Sequence, residues 1–277
     1  MPETDVNERA MDLAKEVAKE LAKDVYADAG RPVAKPTGEL VGLVPRAIKA
    51  ALAPVEKWVL QREYNIAETK KLLEEKLQNT PPELIQPPEP HIAVPALQYI
   101  SYCMDNEELR DMYANLLANS MNSVVKNGVH PAFVEIIKQL SPDEAKILKY
   151  IYNSKYVPII GMKVHKVSDG AIEIVKVFSN ITELCACEAP QSYDRYFDNL
   201  SRLALISIPD DESLVNNVLY DPLKQHPWIM GVKAHLEKRE DVSSITFTEK
   251  HLELSAFGRQ FCNICLGKTK IKTGHIE

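Results

Sequence analysis

No stretch of this sequence approaches the roughly 18 consecutive apolar residues that a membrane-spanning helix requires, which argues against a spanning helix. Residues 1–20 are charge-rich and hold no continuous apolar segment, so no secretory signal is expected. The five cysteines are an odd, scattered set. They do not read as a disulfide framework and are expected to be reduced thiols in a cytoplasm. A glycine-rich phosphate loop, an HExxH pair and a nucleophile elbow are all missing, so no catalytic motif is available to assign. There is no basic excess either. Lys and Arg number 33 against 39 Asp and Glu, a net charge of −6. That balance argues against nucleic-acid binding by the whole chain, while leaving room for a local basic patch.

What is present suits a soluble globular protein. Hydrophobic residues make up 45% and charged residues 26% of 277 positions, enough for about two domains with real cores. Asn7 to Ala29 reads as a thin, Ala-rich amphipathic helix on Leu13, Val17, Leu21 and Val25, broken by "AGRPVAKPTG". Leu40 to Leu60 is the most hydrophobic part of the N-terminal half, divided by Pro45 and Pro54. It reads as a buried helix pair or as an amphipathic segment on a membrane surface. In the second case Arg46, Lys49, Lys57 and Trp58 would face the membrane or a partner. Gln61 to Gln78 continues as a charged helix.

"NTPPELIQPPEPHIAVP" holds six prolines and reads as an ordered, extended connector carrying His91 at the surface. Ala96 to Val125 then shows one broad apolar helical face: Leu109, Met112, Tyr113, Leu116, Leu117, Met121 and Val124. "KNGV" is expected to end this helix at Gly128. In "HPAFVEIIKQLSPDEAKIL", Pro131 suits a first helical turn, and Phe133, Ile136, Ile137 and Leu140 form the apolar face. Ser141-Pro142-Asp143-Glu144 is a capping box. Its acids are thereby explained by structure, with Asp143 and Glu144 favouring the positive end of the helix dipole. His130 and Glu135 lack a third catalytic partner.

From Ser141 the order of signals changes. A helix is followed by Val- and Ile-rich segments around Ser168-Asp169-Gly170, which suggest short strands. "NITELCACEAPQSYDRYFDNLSRLALISIP" reads as helix, turn, helix, strand, with Ile181, Leu184 and Ala186 inward on the first helix. Tyr196, Leu200, Leu203 and Leu205 face the core from the second. "SSITFTEKHLELSAFGRQFCNICL" reads as two short strands, or a strand pair, then a helix capped by Ser255. That order resembles a winged helix-turn-helix, with two departures. Ala204 stands where a Gly is usual, and a long, partly helical insertion runs from Asp210 to Val242. The exposed candidates for nucleic-acid or partner binding are Ser192, Tyr193, Arg195, Asn199 and Arg202. Asp194 and Asp198 offset the two arginines, so this helix is a weak DNA reader and protein docking is preferred.

Cys185-x-Cys187 and Cys262-x-x-Cys265 raise a zinc site. On a helix over Thr182 to Glu188, positions i and i+2 point to different faces. Cys262 and Cys265 follow Phe257 and Phe261 on a core helix. No metal site and no cofactor are therefore assigned.

Three segments, "ALAPVEKWVLQREYNIAETKKLLEEKL", "ELRDMYANLLANSMN" and "HPAFVEIIKQLSPDEAKIL", resemble the Abi-alpha family of bacterial proteins, named for abortive infection. The similarity runs from about Leu40 to Leu266. It implies a cytoplasmic bacterial protein linked to phage defence and carries over no catalytic residues.

The sequence thus predicts a mainly α protein with a small β component. Residues 1–36 form an N-terminal amphipathic helix and linker. Residues 37–140 form a helical domain, and 141–277 a winged-helix-like domain with an insertion at about 210–242. A non-enzymatic defence protein acting through protein interaction is expected. Its partner would be phage-derived or a second copy in a homo-oligomer. A DNA-binding regulator and a membrane-active effector using residues 40–60 are the alternatives, and an enzyme is the least supported.

Overall fold

The structure is a computed structural model that describes residues 63–154 and 156–267, with side chains from residue 67. The segments 7–29 and 40–60, with Arg46, Lys49, Lys57 and Trp58, lie outside the described residues. The chain divides into two compact units between Lys138 and Gln139.

Among the described residues of the first unit the apolar spacing produces four helices: α1 (Glu63–Leu77), α2 (Pro90–Ile100), α3 (Glu107–Met121) and α4 (Ala132–Lys138). Helix α3 packs against the other three. It buries Met112, Tyr113, Leu116, Leu117 and Met121 together, as the periodicity requires. Thr69, Leu73 and Leu77 form a buried stripe on α1, and Lys76 beside it pairs with Asp111 of α3.

Two expectations fail here for identifiable reasons. The proline run is not extended throughout. It holds a short 3-10 turn at Pro82–Leu84, and α2 then starts at Pro90 with His91 exposed in its first turn. Pro90 has no intrahelical bond to lose, but Pro95 lies inside the helix, where it removes one. Burial of Ile92, Ala93, Ala96, Leu97 and Ile100 outweighs that loss. Ala96 to Val125 is also not one helix. The chain breaks after Ile100, and the Asn106 side chain caps α3 by accepting from the Leu109 N–H at 2.9 Å. Helix α3 stops at Met121 rather than near Gly128. An isolated bridge, Ile85 with Asn122, captures the Met121 carbonyl through the Gln86 N–H at 2.8 Å. Val124, beyond that end, is 68% exposed.

The second unit opens with α5 (Pro142–Ser154). Its capping box forms as read: Ser141 Oγ accepts from the Glu144 N–H at 3.3 Å, and Glu144 Oε2 accepts from the Ser141 N–H at 2.6 Å. Strands β1 (Tyr156–Lys166) and β2 (Ala171–Phe178) form a hairpin. Its turn puts Asp169 and Gly170 at φ 73° and 93°, the left-handed region that Asp and Gly tolerate best. Helices α6 (Ile181–Leu184) and α7 (Tyr193–Arg202) follow, then β3 (Ile206–Ser207). The 210–242 insertion contributes α8 (Asp221–Lys224) and α9 (Pro227–Leu236). Strand β4 (Val242–Leu254) and α10 (Ala256–Cys265) follow. The sheet order is β2-β1-β4-β3, with every neighbour antiparallel.

Alternation along β1 divides the core. Ile160, Met162 and Val164 join Val175, Phe178 and the insertion's Tyr220, Leu223, Ile229 and Leu236 in one buried cluster. Val157 and Ile159 point to the opposite face, and α5 packs against β1, β4, α6, α7 and α10. β4 is one strand of 13 residues, not a pair, because it pairs with β1 along nearly its whole length.

Helix α6 is shorter than expected. It ends at Leu184, which is 58% exposed rather than inward, and Ala186 adopts φ 49°. Ala204 does the same after α7, at φ 56°. Both positions close Schellman motifs: the N–H of Cys187 reaches Thr182 O, and that of Leu205 reaches Leu200 O, each at 2.9 Å. The Gly missing at position 204 therefore leaves an alanine holding a conformation that costs an L-residue about 1 kcal/mol. Replacing Ala204 by Gly is expected to raise stability by up to about that amount, read from the urea midpoint.

Candidate partner-binding groove

Helix α7 owes its orientation to Tyr196, Phe197 and Leu200, which are buried. That leaves Tyr193, Asp194, Asp198 and Ser201 on the border of the core. They line a groove of about 760 Å³ whose other wall is five consecutive residues of β2, Glu173 to Val177. Asp210 and Lys250 also line it and pair at 2.7 Å.

An adjoining cleft of about 270 Å³ shares Tyr193 and Trp228 with this groove. Its wall is a stack of aromatic rings. Phe178 lies 5.3 Å from Trp228 at an interplanar angle of 29°, and 5.4 Å from Tyr193, edge to face. His226 lies 4.9 Å from Phe178. Its Nδ1 accepts from the Trp228 N–H at 3.3 Å, capping α9. Nε2 therefore carries the proton in the neutral ring and donates to Glu183 at 3.0 Å. Burial pushes the Tyr193 hydroxyl above its ordinary pKa, with Asp194 adding to the effect. Trp228 remains 44% exposed and Met230 47%.

The five residues proposed from sequence do not form one outward surface. Tyr193 reaches the groove, and Ser192 is half-buried at the start of α7. Arg195 is exposed and lies over the Tyr196 ring at 5.3 Å. Asn199 turns inward: its Nδ2 donates to Glu144 Oε1 at 2.8 Å and to Gln139 O at 3.0 Å. Arg202 donates to Asn199 Oδ1 at 2.7 Å and to Gln139 Oε1 at 3.0 Å. Asn199 and Arg202 thus brace α7 against the start of α5. Trp228 and His226 were not picked out by sequence reasoning. The signal available was "QHPWIM" within the insertion, whose contacts depend on how that insertion folds back.

Asp143 does more than the capping box requires of it. Beyond its place in the first turn of α5, its buried carboxylate accepts from the Glu188 N–H at 3.0 Å and the Ala189 N–H at 3.4 Å. It also accepts from the Tyr196 hydroxyl at 2.8 Å, and it pairs with Lys146 at 3.5 Å. Burial alone would raise this carboxyl, but the hydroxyl and the two N–H groups outweigh it and hold the pKa below the ordinary value. Cys185 and Cys187 sit beside this cluster, and burial pushes their thiols up to about 12 and about 11. Burial likewise pushes Cys262 up to about 12. No cluster of His, Cys, Asp and Glu among the described residues could hold a metal ion.

Among the described residues no helix is long and apolar enough to cross a membrane. Fold and site together describe a helical protein with a small antiparallel sheet and an open groove beside an edge strand. The chain belongs to the family described as Abortive infection alpha, whose sequence profile matches residues 61–265. The match leaves residues 40–60 outside it. A solved structure, that of the uncharacterized protein from the hydrocarbon-degrading marine bacterium Alcanivorax borkumensis SK2, is 13% identical. The alignment covers 48% of this chain and 90% of that one at a TM-score of 0.34, too low to bear on fold or function. No curated protein matches this chain.

Proposed function

We propose that this chain is a non-enzymatic phage-defence protein of the abortive-infection kind, acting in the cytoplasm through contact with another protein. Family membership over residues 61–265 is the observation that carries this reading. We further propose that the C-terminal unit is a winged-helix module used for docking. The run of α5, α6 and α7 beside strands ordered β1-β4-β3 supports the winged helix, with β2 as an added edge and α8–α9 as an inserted cover. The engagement of Arg202 within the protein supports docking over DNA reading, because base and phosphate recognition needs free Arg and Lys groups.

The test is phage challenge of a bacterium with and without the gene, scoring plaques and survival of infected cells. Fewer plaques with early death of infected cells are expected. Unchanged plaquing across a broad phage panel overturns the defence reading. Salt-sensitive binding to duplex DNA that is lost in an R195E/R202E variant would replace docking with DNA recognition.

A further inference from the structure

We infer that the groove between β2 and α7 captures an extended, basic segment of a partner protein, which adds as a fifth strand to the free edge of β2. This inference rests on the protein-contact reading above and specifies its chemistry.

The first support is topological. β2 is an edge of the sheet, paired only with β1 among the described residues. No backbone hydrogen bond from its residues 171–178 leads elsewhere among those residues. An edge strand presents a row of unpaired N–H and C=O groups that templates another strand, and proteins usually blunt such edges with proline or cover them. β2 contains no proline, and two of its large apolar side chains, Ile172 and Ile174, are 45% and 41% exposed.

The second support is the shape of the groove. Five consecutive β2 residues line the groove, with Tyr193, Asp194, Phe197, Asp198 and Ser201 of α7 also lining it. An extended chain added along β2 pairs through its backbone, which supplies affinity, while its alternate side chains directed into the groove supply specificity.

The third support is charge. Glu173, Asp194 and Asp198 line the groove and are exposed, and none is in an ion pair among the described residues. Of the basic residues there, Lys250 is held by Asp210 at 2.7 Å, leaving Lys176. The groove therefore carries a net negative charge and favours Lys or Arg at alternate positions, on the side of the added strand nearest α7. At one end Tyr193 and Trp228 present aromatic surface suited to an apolar or guanidinium-bearing side chain.

The test uses the full chain and a labelled ten-residue peptide alternating Lys with Val. The same peptide with Glu for Lys is the control. Fluorescence anisotropy reads affinity, and hydrogen exchange reads the β2 amides. Saturable binding of the Lys peptide, with exchange slowed at the 171–178 amides that face away from β1, is expected. Affinity should fall about tenfold in a D194K/D198K variant, at one modest surface interaction per reversed charge. Both aspartates are exposed and only the first-turn charge of Asp194 on α7 is lost with them, so this variant should melt within about a few degrees of the wild type.

Equal binding of the Glu peptide, or binding without protection of 171–178, overturns the proposal. Protection of those outward amides in the peptide-free chain overturns it too. If that protection grows with protein concentration, a second copy occupies the edge. If it does not, a segment of the same chain does. Phage protection that survives in D194K/D198K while the Lys peptide fails to bind would sink the groove and leave the defence reading standing. Loss of protection in the wild type itself would sink the defence reading instead.

Discussion

Replacing Asp143 by Ala is expected to destabilise the protein by about 3–5 kcal/mol, the range for breaking a buried charge network by removing one partner. Asp143 is 6% exposed. Its carboxylate is where the Glu188 and Ala189 N–H groups, the Tyr196 hydroxyl and the Lys146 ammonium converge. Alanine leaves those donors facing a space that offers no acceptor, and each unsatisfied group costs about 1–3 kcal/mol. The chain from Cys185 to Pro190 would lose its anchor to α5, and with it the cap of α6 would loosen. Asp143→Asn keeps one acceptor oxygen without the charge, so an intermediate loss is expected. Urea denaturation at neutral pH measures both.

The pH dependence gives a second reading of the same contact. The Asp143 carboxyl titrates below its ordinary value of 3.8 in the folded chain. A depressed folded pKa means the stabilisation is fully present above the unfolded value and is lost as pH falls through the folded one. The stability gap between wild type and Asp143→Asn should therefore be constant above about pH 4 and shrink below it. A gap that stays level down to about pH 2 would show that the carboxylate is not the source.

Gly258→Ala is expected to cost about 3 kcal/mol or more, at or beyond the upper end of ordinary overpacking. The opposite is expected from helix propensity, which favours Ala over Gly inside a helix by about 1 kcal/mol. Packing decides the sign. A Cβ on Gly258 would stand 1.9 Å from Leu205 O, 2.7 Å from its carbonyl carbon and 2.9 Å from its Cα. Those atoms are backbone and cannot rotate away. Leu205 is also held at both ends: its N–H bonds Leu200 O at 2.9 Å, and its carbonyl accepts from the Ser255 N–H at 3.1 Å. Ser255 in turn caps α10 by accepting from the Gly258 N–H at 2.8 Å. The methyl group would have to push α10 off the exit of α7. A higher urea midpoint in Gly258→Ala would show that α10 does not approach Leu205 this closely.

Several features were readable one residue at a time. The Ser141–Glu144 capping box, the Asp169-Gly170 turn, the Ser255 cap and the buried faces of α3, α4 and α7 rest on interactions within a few residues of chain. Residue type and spacing determine such interactions. The misread features share the opposite property. Pro95 is tolerated in α2 because five apolar neighbours are buried with it. Helix α3 ends where a bridge from Ile85 claims a carbonyl. Helix α6 stops early, with Ala186 left-handed where the chain turns toward the Asp143 carboxylate.

The groove follows the same division. Tyr193 and the acidic pair Asp194 and Asp198 were legible on α7 as a charge-balanced helix face. That Asn199 and Arg202 turn toward α5 was not, because their partners, Glu144 and Gln139, lie 55 and 63 residues away in sequence. Nor was the meeting of Trp228 with Phe178, which needs the insertion to fold back over the sheet. The sequence by itself determined the helical character, the Ser141 and Ser255 caps, the Asp169-Gly170 turn and the family. Only the tertiary structure decided which polar groups are spent on holding the fold and which remain facing solvent. Local periodicity specifies which side of an element is apolar, but the neighbour that meets each polar side chain is chosen by long-range packing.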